Sequence, residues 1–256
     1  MRQLTIKNKI IGTGRPLVCV PVMEETKEAV VRQVAALSQS RADVIEWRVD
    51  GFGAYRDCNE VRSVLDSIKP LLTDKILLYT FRSKVQGGAA EATPQLRTDL
   101  HDLALESGCV DLVDVEFFAE EHPLRTIKKI QSAGVHVITS HHDFAQTPEP
   151  GVMKMLLEKM CAGGADIVKL AVMPKKHKDV LNLLDVTAEF HQENPDTPIV
   201  TMSMGELGSV SRLCGETFGS CMSFGAYKKA SAPGQYSMDE LMTILDIEHA
   251  HAKTGL

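Results

Sequence analysis

The sequence lacks the features that would place it at a membrane or on a nucleic acid. Among its 256 residues no stretch approaches the roughly 18 apolar residues of a membrane span. The formal net charge is −6 at pH 7, so no basic excess favours nucleic acid or an anionic membrane surface. The first nine residues, MRQLTIKNK, alternate apolar and charged residues and do not resemble a signal peptide. We therefore expect a cytoplasmic protein without nucleic-acid or membrane partners.

Short motifs for metals, disulfides and nucleotides are also missing. The six cysteines are scattered, with no C-x-x-C pair, so neither a zinc site nor a disulfide framework is expected. No G-x-G-x-x-G or P-loop follows the first strand-like segment, which argues against a nucleotide-binding sheet. No linker, repeat or low-complexity tract divides the chain, and this predicts one domain over residues 1–256.

Apolar, β-branched runs recur along the whole chain and are separated by stretches with helical periodicity. In residues 28–37 and 179–186, for example, apolar side chains fall three and four positions apart, as in a helix that packs on a sheet. The runs predict eight strands, at residues 17–23, 44–50, 75–82, 112–117, 135–140, 167–173, 199–204 and 221–227.

The alternation of strands and helices predicts parallel strands joined by helical crossovers. Eight such units in 256 residues favour an α/β fold of the closed (β/α)8 TIM-barrel type. An open, doubly wound sheet is the alternative. Residues 4–11, with Asn8 mid-way, predict a small N-terminal β-hairpin that closes the bottom of the barrel.

Lys169 is the most informative residue, because it interrupts the apolar run at residues 165–174. Gly163 and Gly164 precede the run and Pro174 ends it, so it is typical of a strand buried on both faces. Burial removes water from an ammonium group and favours the neutral amine, which can attack a carbonyl and form a Schiff base. The alternative is a structural lysine that reaches solvent or pairs with a carboxylate.

Unusual polar residues follow or end the other predicted strands, where the active site of such a barrel lies. Most have a plausible structural alternative: Glu46 and Arg48 as an ion pair, the two adjacent histidines as a surface turn or metal ligands, and the methionines as core. The polar residues concerned are Glu46, Arg48 and Asp50, Arg82, Asp114 and Glu116, His141, His142 and Asp143, and Arg212; the apolar Met202 and Met204 end the seventh predicted strand. Together with a lysine nucleophile, several arginines at one barrel end predict a pocket for an anionic carbonyl substrate.

In this order, these residues closely resemble the type I 3-dehydroquinate dehydratases, Schiff-base enzymes of the shikimate pathway. The resemblance runs from the N-terminal hairpin to the last helix. It implies a (β/α)8 barrel, usually a homodimer, with 3-dehydroquinate as substrate and no metal or cofactor. The stretches that carry it are 46–50 (EWRVD), 80–83 (TFRS), 140–144 (SHHDF), Lys169 with 171–174 (AVMP), 202–204 (MSM), 211–213 (SRL) and 231–235 (SAPGQ).

The resemblance also implies roles for three catalytic residues. Lys169 forms the imine with the substrate ketone, and the protonated imine acidifies the neighbouring C–H. His142 removes that proton as the general base and then, as an acid, helps the C1 hydroxyl leave as water. Glu46 orients and tunes the histidine.

The remaining implied residues hold the substrate. Arg212 grips its carboxylate, supported by Ser231 and Gln235 from a closing loop. Arg48 and Arg82 hold the hydroxyl-bearing side of the ring. Met202 and Met204 form an apolar wall against that ring.

One position departs from the family pattern. The family usually has glutamate before the two glycines that follow the TFRS stretch, whereas this chain has Gln86, and two alanines separate the glycines from Glu91. An amide keeps hydrogen bonds but carries no charge and cannot shuttle a proton. We expect an effect on substrate affinity or the imine-forming steps. This leaves open a divergent paralogue that has altered or reduced activity or serves quinate or shikimate breakdown.

Two other functions compete with the dehydratase. A class I aldolase also uses a strand lysine, but an aldolase of phosphorylated sugars requires a phosphate-binding nest of backbone amides after the last two strands. Here those loops contain Arg212, Ser231 and Gln235, which better suit a carboxylate. A binding protein that kept the barrel and lost turnover is the third possibility, and Gln86 is its sole hint.

Overall fold

The computed structural model describes residues 4–228 and 230–253. A two-stranded antiparallel hairpin precedes eight parallel strands that form one sheet. The last strand pairs with the first barrel strand, and the Cys221 amide donates to the Ile199 carbonyl (2.8 Å), so the sheet closes into a barrel. The strands are β1 (Leu4–Ile6), β2 (Lys9–Ile11), β3 (Leu17–Val22), β4 (Val44–Arg48), β5 (Ile76–Thr80), β6 (Leu112–Glu116), β7 (His136–Asp143), β8 (Ile167–Val172), β9 (Ile199–Ser203) and β10 (Met222–Phe224).

Helices follow the barrel strands and pack outside them, so the predicted (β/α)8 barrel is confirmed. Between β9 and β10 the connection contains two single-turn helices in place of one long helix. The helices are α1 (Lys27–Ser38), α2 (Cys58–Ile68), α3 (Pro94–Ser107), α4 (Pro123–Ser132), α5 (Pro150–Ala162), α6 (His177–Glu193), α7 (Gly205–Gly208), α8 (Gly215–Phe218) and α9 (Met238–Lys253). Among the described residues, no helix is both long and apolar enough to cross a bilayer.

Two strand ends differ from the prediction in a way that matters for the site. β4 stops at Arg48, because residues 49–51 turn into a 3-10 helix. β7 continues to Asp143, three residues beyond the predicted end, and pairs with β8 over its whole upper half. Both adjacent histidines therefore lie within a strand and not on a surface turn.

Alternate strand residues point into the barrel, and their character changes from bottom to top. The lower interior is apolar and includes Ile76, Leu112 and Ile167. Ile6 and Ile11 of the hairpin pack into the same cluster, which confirms that the hairpin closes the barrel bottom. The residues in between face outward and form the core beneath the helices.

The upper interior is polar on the same inward-facing positions. On β5 the inward residues Ile76 and Leu78 give way to Thr80, and on β6 Leu112 gives way to Asp114. Lys169 lies at this boundary, two residues above Ile167. Hydrophobic packing below thus fixes the height at which the polar side chains meet.

The prediction of a single domain over residues 1–256 stays a prediction.

Candidate active site

A small cavity of about 50 Å³ lies at the carboxyl ends of the barrel strands. Its walls contain ten of the eleven residues predicted for the site, and Arg212 alone of them lies just outside. The lining residues are Glu46, Arg48, Arg82, Gln86, Gly87, His142, Phe144, Lys169, Ala171, Met202, Met204, Phe224, Ser231, Ala232 and Gln235.

Lys169 projects into this cavity from the middle of β8 and is 3% exposed. Its Nζ lies 3.5 Å from Oδ2 of Asp114 and 4.4 Å from the centroid of the Phe224 ring. The carboxylate and the aromatic face both attract a cation at this point. The site therefore compensates a positive charge on the lysine nitrogen while it excludes water from it.

Asp114 belongs to a buried network with Arg82. The guanidinium donates to Asp114 (2.6 Å), Glu116 (2.9 Å) and the hydroxyl of Ser140 (2.8 Å), and Ser140 donates in turn to Asp114 (2.6 Å). Burial disfavours the Asp114 carboxylate, but Arg82 and Lys169 outweigh this cost and hold its pKa below the usual range. Asp114 is thus an anion shared by two cations.

Arg48 is neutralised by its own neighbour. Its guanidinium donates to both carboxylate oxygens of Asp50 at 2.8 and 2.7 Å, because the 3-10 turn after β4 brings Asp50 back over it. Asp50 also accepts the amide hydrogens of Arg82 (3.1 Å) and Ala89 (2.9 Å). Glu46 instead accepts the hydroxyl hydrogen of Thr80 (2.9 Å). The alternative of a Glu46–Arg48 ion pair is therefore wrong.

His142 faces the cavity and contacts Gln86. The Gln86 Oε1 atom lies 2.9 Å from the backbone nitrogen of His142 and 3.1 Å from its Nδ1. Burial lowers the pKa of His142 well below its usual value, and the charges of Arg82, Lys169 and Arg48 add to that effect. The imidazole is therefore neutral at pH 7 and able to accept a proton.

His141 points away from the cavity, as period-two alternation requires. Its ring packs edge-on against Phe118, with centroids 5.4 Å apart. Glu46, which is implied to orient His142, makes its hydrogen bond to Thr80, and among the described residues no hydrogen bond joins Glu46 to His142. The orienting role of Glu46 stays a prediction.

Arg212 is buried beside the cavity under the loop that follows β10. Its Nη2 donates to the Pro233 carbonyl (3.1 Å) and its Nη1 approaches Met202 Sδ (3.7 Å). Burial lowers its pKa to about 10. Within residues 4–228 and 230–253, no carboxylate pairs with it. Arg212 thus differs from Arg48 and Arg82 in lacking an internal counter-charge.

The loop over Arg212 is folded back on itself. Ser231 donates its amide to Gln235 Oε1 (2.8 Å), and Gln235 Nε2 donates to the Ser231 hydroxyl (3.0 Å). The Gly205 amide donates to the Pro233 carbonyl (3.2 Å), which ties the loop to the end of β9. Ser231, Ala232 and Gln235 form the roof of the cavity.

Comparison with known proteins gives one consistent result. A family model described as type I 3-dehydroquinase matches residues 18–252. The chain belongs to the type I 3-dehydroquinase family. It is 43% identical over 250 residues to 3-dehydroquinate dehydratase from Listeria welshimeri, and the alignment covers 97% of this chain and 99% of that protein.

Solved structures of the family agree. The type I 3-dehydroquinate dehydratase from Clostridium difficile, with covalently modified comenic acid, gives a TM-score of 0.94 at 41% identity, over 98% of this chain and 99% of that one. The enzyme from Geobacillus kaustophilus gives 0.92 at 32% identity, over 97% of each chain. The predicted family and its barrel are confirmed.

Two residues of the site were missing from the predicted set. Asp114 is among the polar strand residues of the sequence, but it lies on β6 and pairs with Lys169 on β8, across the intervening β7. No local sequence pattern indicates a contact across a strand. Phe224 lies on the inward face of β10, where the sequence shows an ordinary apolar strand residue. Both residues lie at inward-facing positions of their strands, so the period of two could have placed them in the barrel interior, although it does not specify their contact with Lys169.

Proposed function

We propose that the chain dehydrates 3-dehydroquinate to 3-dehydroshikimate through a Schiff base on Lys169. The observation that carries the proposal is the convergence of ten predicted site residues on one cavity around that lysine. The 43% identity to a 3-dehydroquinate dehydratase over 97% of the chain supports the same substrate.

In the first stage the Lys169 amine attacks the substrate ketone, and the carbonyl oxygen leaves as water. The product is an iminium ion, whose positive charge replaces that of the ammonium. Asp114, 3.5 Å from Nζ, therefore compensates the same charge before and after the step. The buried network needs no rearrangement of its charges.

In the second stage His142 acts as base and then as acid. The neutral imidazole removes a proton from the carbon beside the iminium, and the electron pair flows into the C=N bond to give an enamine. The enamine returns its electrons and expels the C1 hydroxyl, which takes the proton from the imidazolium and leaves as water. Hydrolysis of the conjugated iminium releases the product and restores Lys169.

Substrate binding divides between two sides of the cavity. Arg212, without an internal carboxylate, suits the substrate carboxylate, and Ser231 and Gln235 supply polar groups from the roof. Arg48 and Arg82 line the opposite region, and their carboxylate partners hold them in place for hydroxyl groups.

The remaining contacts belong to Met202 and Met204, which give the ring an apolar wall.

A homodimer, a cytoplasmic location and a role in quinate or shikimate breakdown remain predictions. Light scattering on the purified protein tests the first of these.

The direct test is an assay with purified protein. Dehydration of 3-dehydroquinate creates a conjugated carbonyl whose ultraviolet absorbance can be followed continuously. We expect turnover of 3-dehydroquinate and none of a ketose phosphate. Cleavage of the sugar phosphate would support the aldolase instead, and thermal stabilisation by 3-dehydroquinate without dehydration would support a binding protein.

A further inference from the structure

Serine hydroxyl groups hold the backbone of Arg212 in the connection between β9 and β10. The hydroxyl of Ser223, which is buried on β10, donates to the Arg212 carbonyl (2.8 Å). The preceding residue, Ser211, accepts the Ser203 amide hydrogen (2.8 Å) and donates to the Gly208 carbonyl (2.7 Å). These bonds fix the 3-10 turn that Arg212 ends. The direction of the long side chain depends instead on the contacts of its guanidinium.

Among the described residues, two hydrogen bonds hold the guanidinium of Arg212. Nη2 donates to the Pro233 carbonyl at 3.1 Å, and Nη1 donates to Sδ of Met202 at 3.7 Å. Met202 is thus the only described side chain that accepts a hydrogen bond from this guanidinium. It lies on β9, is 6% exposed and lines the cavity. Its sulfur therefore connects the cavity wall to the arginine just outside that wall.

The sulfur acceptor of Arg212 carries no charge, unlike the acceptors of the other two arginines at the site. Arg48 and Arg82 donate to buried carboxylates, which compensate their positive charges. A thioether is a weak and neutral acceptor. It can fix the direction of a guanidinium without neutralising it, so the charge of Arg212 stays available to an external anion.

We propose that Met202 is a positioning residue whose sulfur holds the Arg212 guanidinium in place for the substrate carboxylate. The proposal rests on the proposed function, in which Arg212 binds that carboxylate. Met202 then has two roles, because its carbon atoms pack against the substrate ring while its sulfur accepts from Arg212. Met204 lines the same cavity, but within the described chain its sulfur accepts no hydrogen bond from Arg212.

The guanidinium can be observed without substrate. We would label the arginine guanidinium groups with 15N and identify the Arg212 signals as those that vanish in Arg212→Lys. The measured quantity is the rate at which Nη1 and Nη2 exchange places by rotation about the Nε–Cζ bond. Met202→Leu keeps the apolar bulk and removes the acceptor. We expect rotation roughly 3- to 10-fold faster in this variant, as for the loss of one hydrogen bond, and an unchanged rate in Met204→Leu.

Two results of that measurement would overturn the proposal. Equal rotation rates in the wild type and Met202→Leu would show that the sulfur does not hold the guanidinium. An equal acceleration in Met202→Leu and Met204→Leu would show that packing of the cavity wall, and not the sulfur, restrains Arg212.

A double-mutant cycle separates positioning from packing in the reaction itself. If the sulfur acts through Arg212, Met202→Leu should raise KM roughly 3- to 10-fold, with kcat within about 2-fold of the wild type. Lysine has no nitrogen equivalent to Nη1, so in the Arg212→Lys background the same substitution should change KM by less than about 2-fold. Equal factors in both backgrounds would limit Met202 to the apolar wall and overturn the proposal.

Met204→Leu is the matched control for the cycle, because it alters the same wall without removing an acceptor of Arg212. We expect it to change KM by the same factor in both backgrounds. A coupling to Arg212 as large as that of Met202 would overturn the role of the sulfur. If Met202→Leu frees the guanidinium as expected but neither the wild type nor any variant dehydrates 3-dehydroquinate, the proposed function fails alone.

Discussion

At the residue scale, the cations of the site differ in whether an internal carboxylate compensates their charge. Arg48 has Asp50, and Arg82 has Asp114 and Glu116. Lys169 shares Asp114 with Arg82. Among the described residues, Arg212 donates only to a carbonyl and a sulfur atom, and burial lowers its pKa to about 10. Its charge therefore has more to gain from an external carboxylate than the others do.

The role of Arg212 can be tested with Arg212→Lys, which keeps the charge and loses the two-pronged donor geometry. We expect kcat/KM to fall roughly 10- to 100-fold, mainly through KM, as for the loss of a charge-assisted hydrogen bond. Arg62→Lys is the matched control, because Arg62 pairs with Glu106 on the surface. Steady-state kinetics within twofold of the wild type for Arg212→Lys would contradict the assignment.

The two adjacent histidines provide a second test at this scale. His142→Ala should still form the imine but dehydrate on the order of 10²–10⁴-fold more slowly, because the general base is lost. His141→Ala should matter far less, since its ring packs on Phe118 outside the cavity. Rates and borohydride trapping would be measured for both variants. Equal losses would count against His142 as the base.

At the scale of elements, strand periodicity predicts the side-chain direction but not the turns or the long-range pairs. The period of two accounts for His142 facing the cavity while the ring of His141 packs outside it. It does not extend to Asp50, because the strand predicted over residues 44–50 ends at Arg48 and the next residues form a 3-10 turn. The Gln86–His142 contact joins residues 56 apart, and such a pair depends on loop geometry that no local pattern specifies.

The loop over the cavity depends on a glycine for its contact with Gly205, the first residue of α7. Gly234 has φ of +73°, and a Cβ there would lie 2.1 Å from the Gly205 carbonyl oxygen. We predict that Gly234→Ala prevents the loop from seating and lowers kcat/KM by about 10-fold or more, with little change in thermal stability because the loop is outside the core.

Gly151→Ala supplies the control for that experiment. Gly151 lies near the start of α5, and an added Cβ would meet nothing within 4 Å. This change should leave the kinetics unchanged and stabilise the helix by roughly 0.5–1 kcal/mol. If Gly234→Ala behaves in the same way, the loop does not need its observed position for activity.

At the scale of the whole molecule, an apolar lower barrel supports a charged upper barrel. Outside the barrel, a buried histidine makes the free energy of unfolding depend on pH. His101 on α3 is 8% exposed, and burial lowers its pKa from 6.5 to about 4. The unfolded chain binds the proton as pH falls through 6.5, whereas the folded chain resists until about pH 4. His101 therefore contributes a decrease in the free energy of unfolding over this range as the solution is acidified.

Urea unfolding at several pH values measures this effect. Between pH 7.5 and 5, His101 should contribute a loss of about 2 kcal/mol, and His101→Leu should remove that part of the slope. His177→Gln, at an exposed position on α6, should retain it. Identical slopes for the wild type and His101→Leu would show that His101 is protonated equally in both states.

The covalent intermediate on Lys169 is the central claim, and trapping measures it most directly. The protein would be incubated with 3-dehydroquinate, reduced with borohydride, and examined by intact mass and peptide mapping. We predict one reduced adduct per chain, located on Lys169, and neither adduct nor turnover in Lys169→Ala. An adduct on Lys175 or Lys176, or turnover with no adduct on any lysine, would contradict the account.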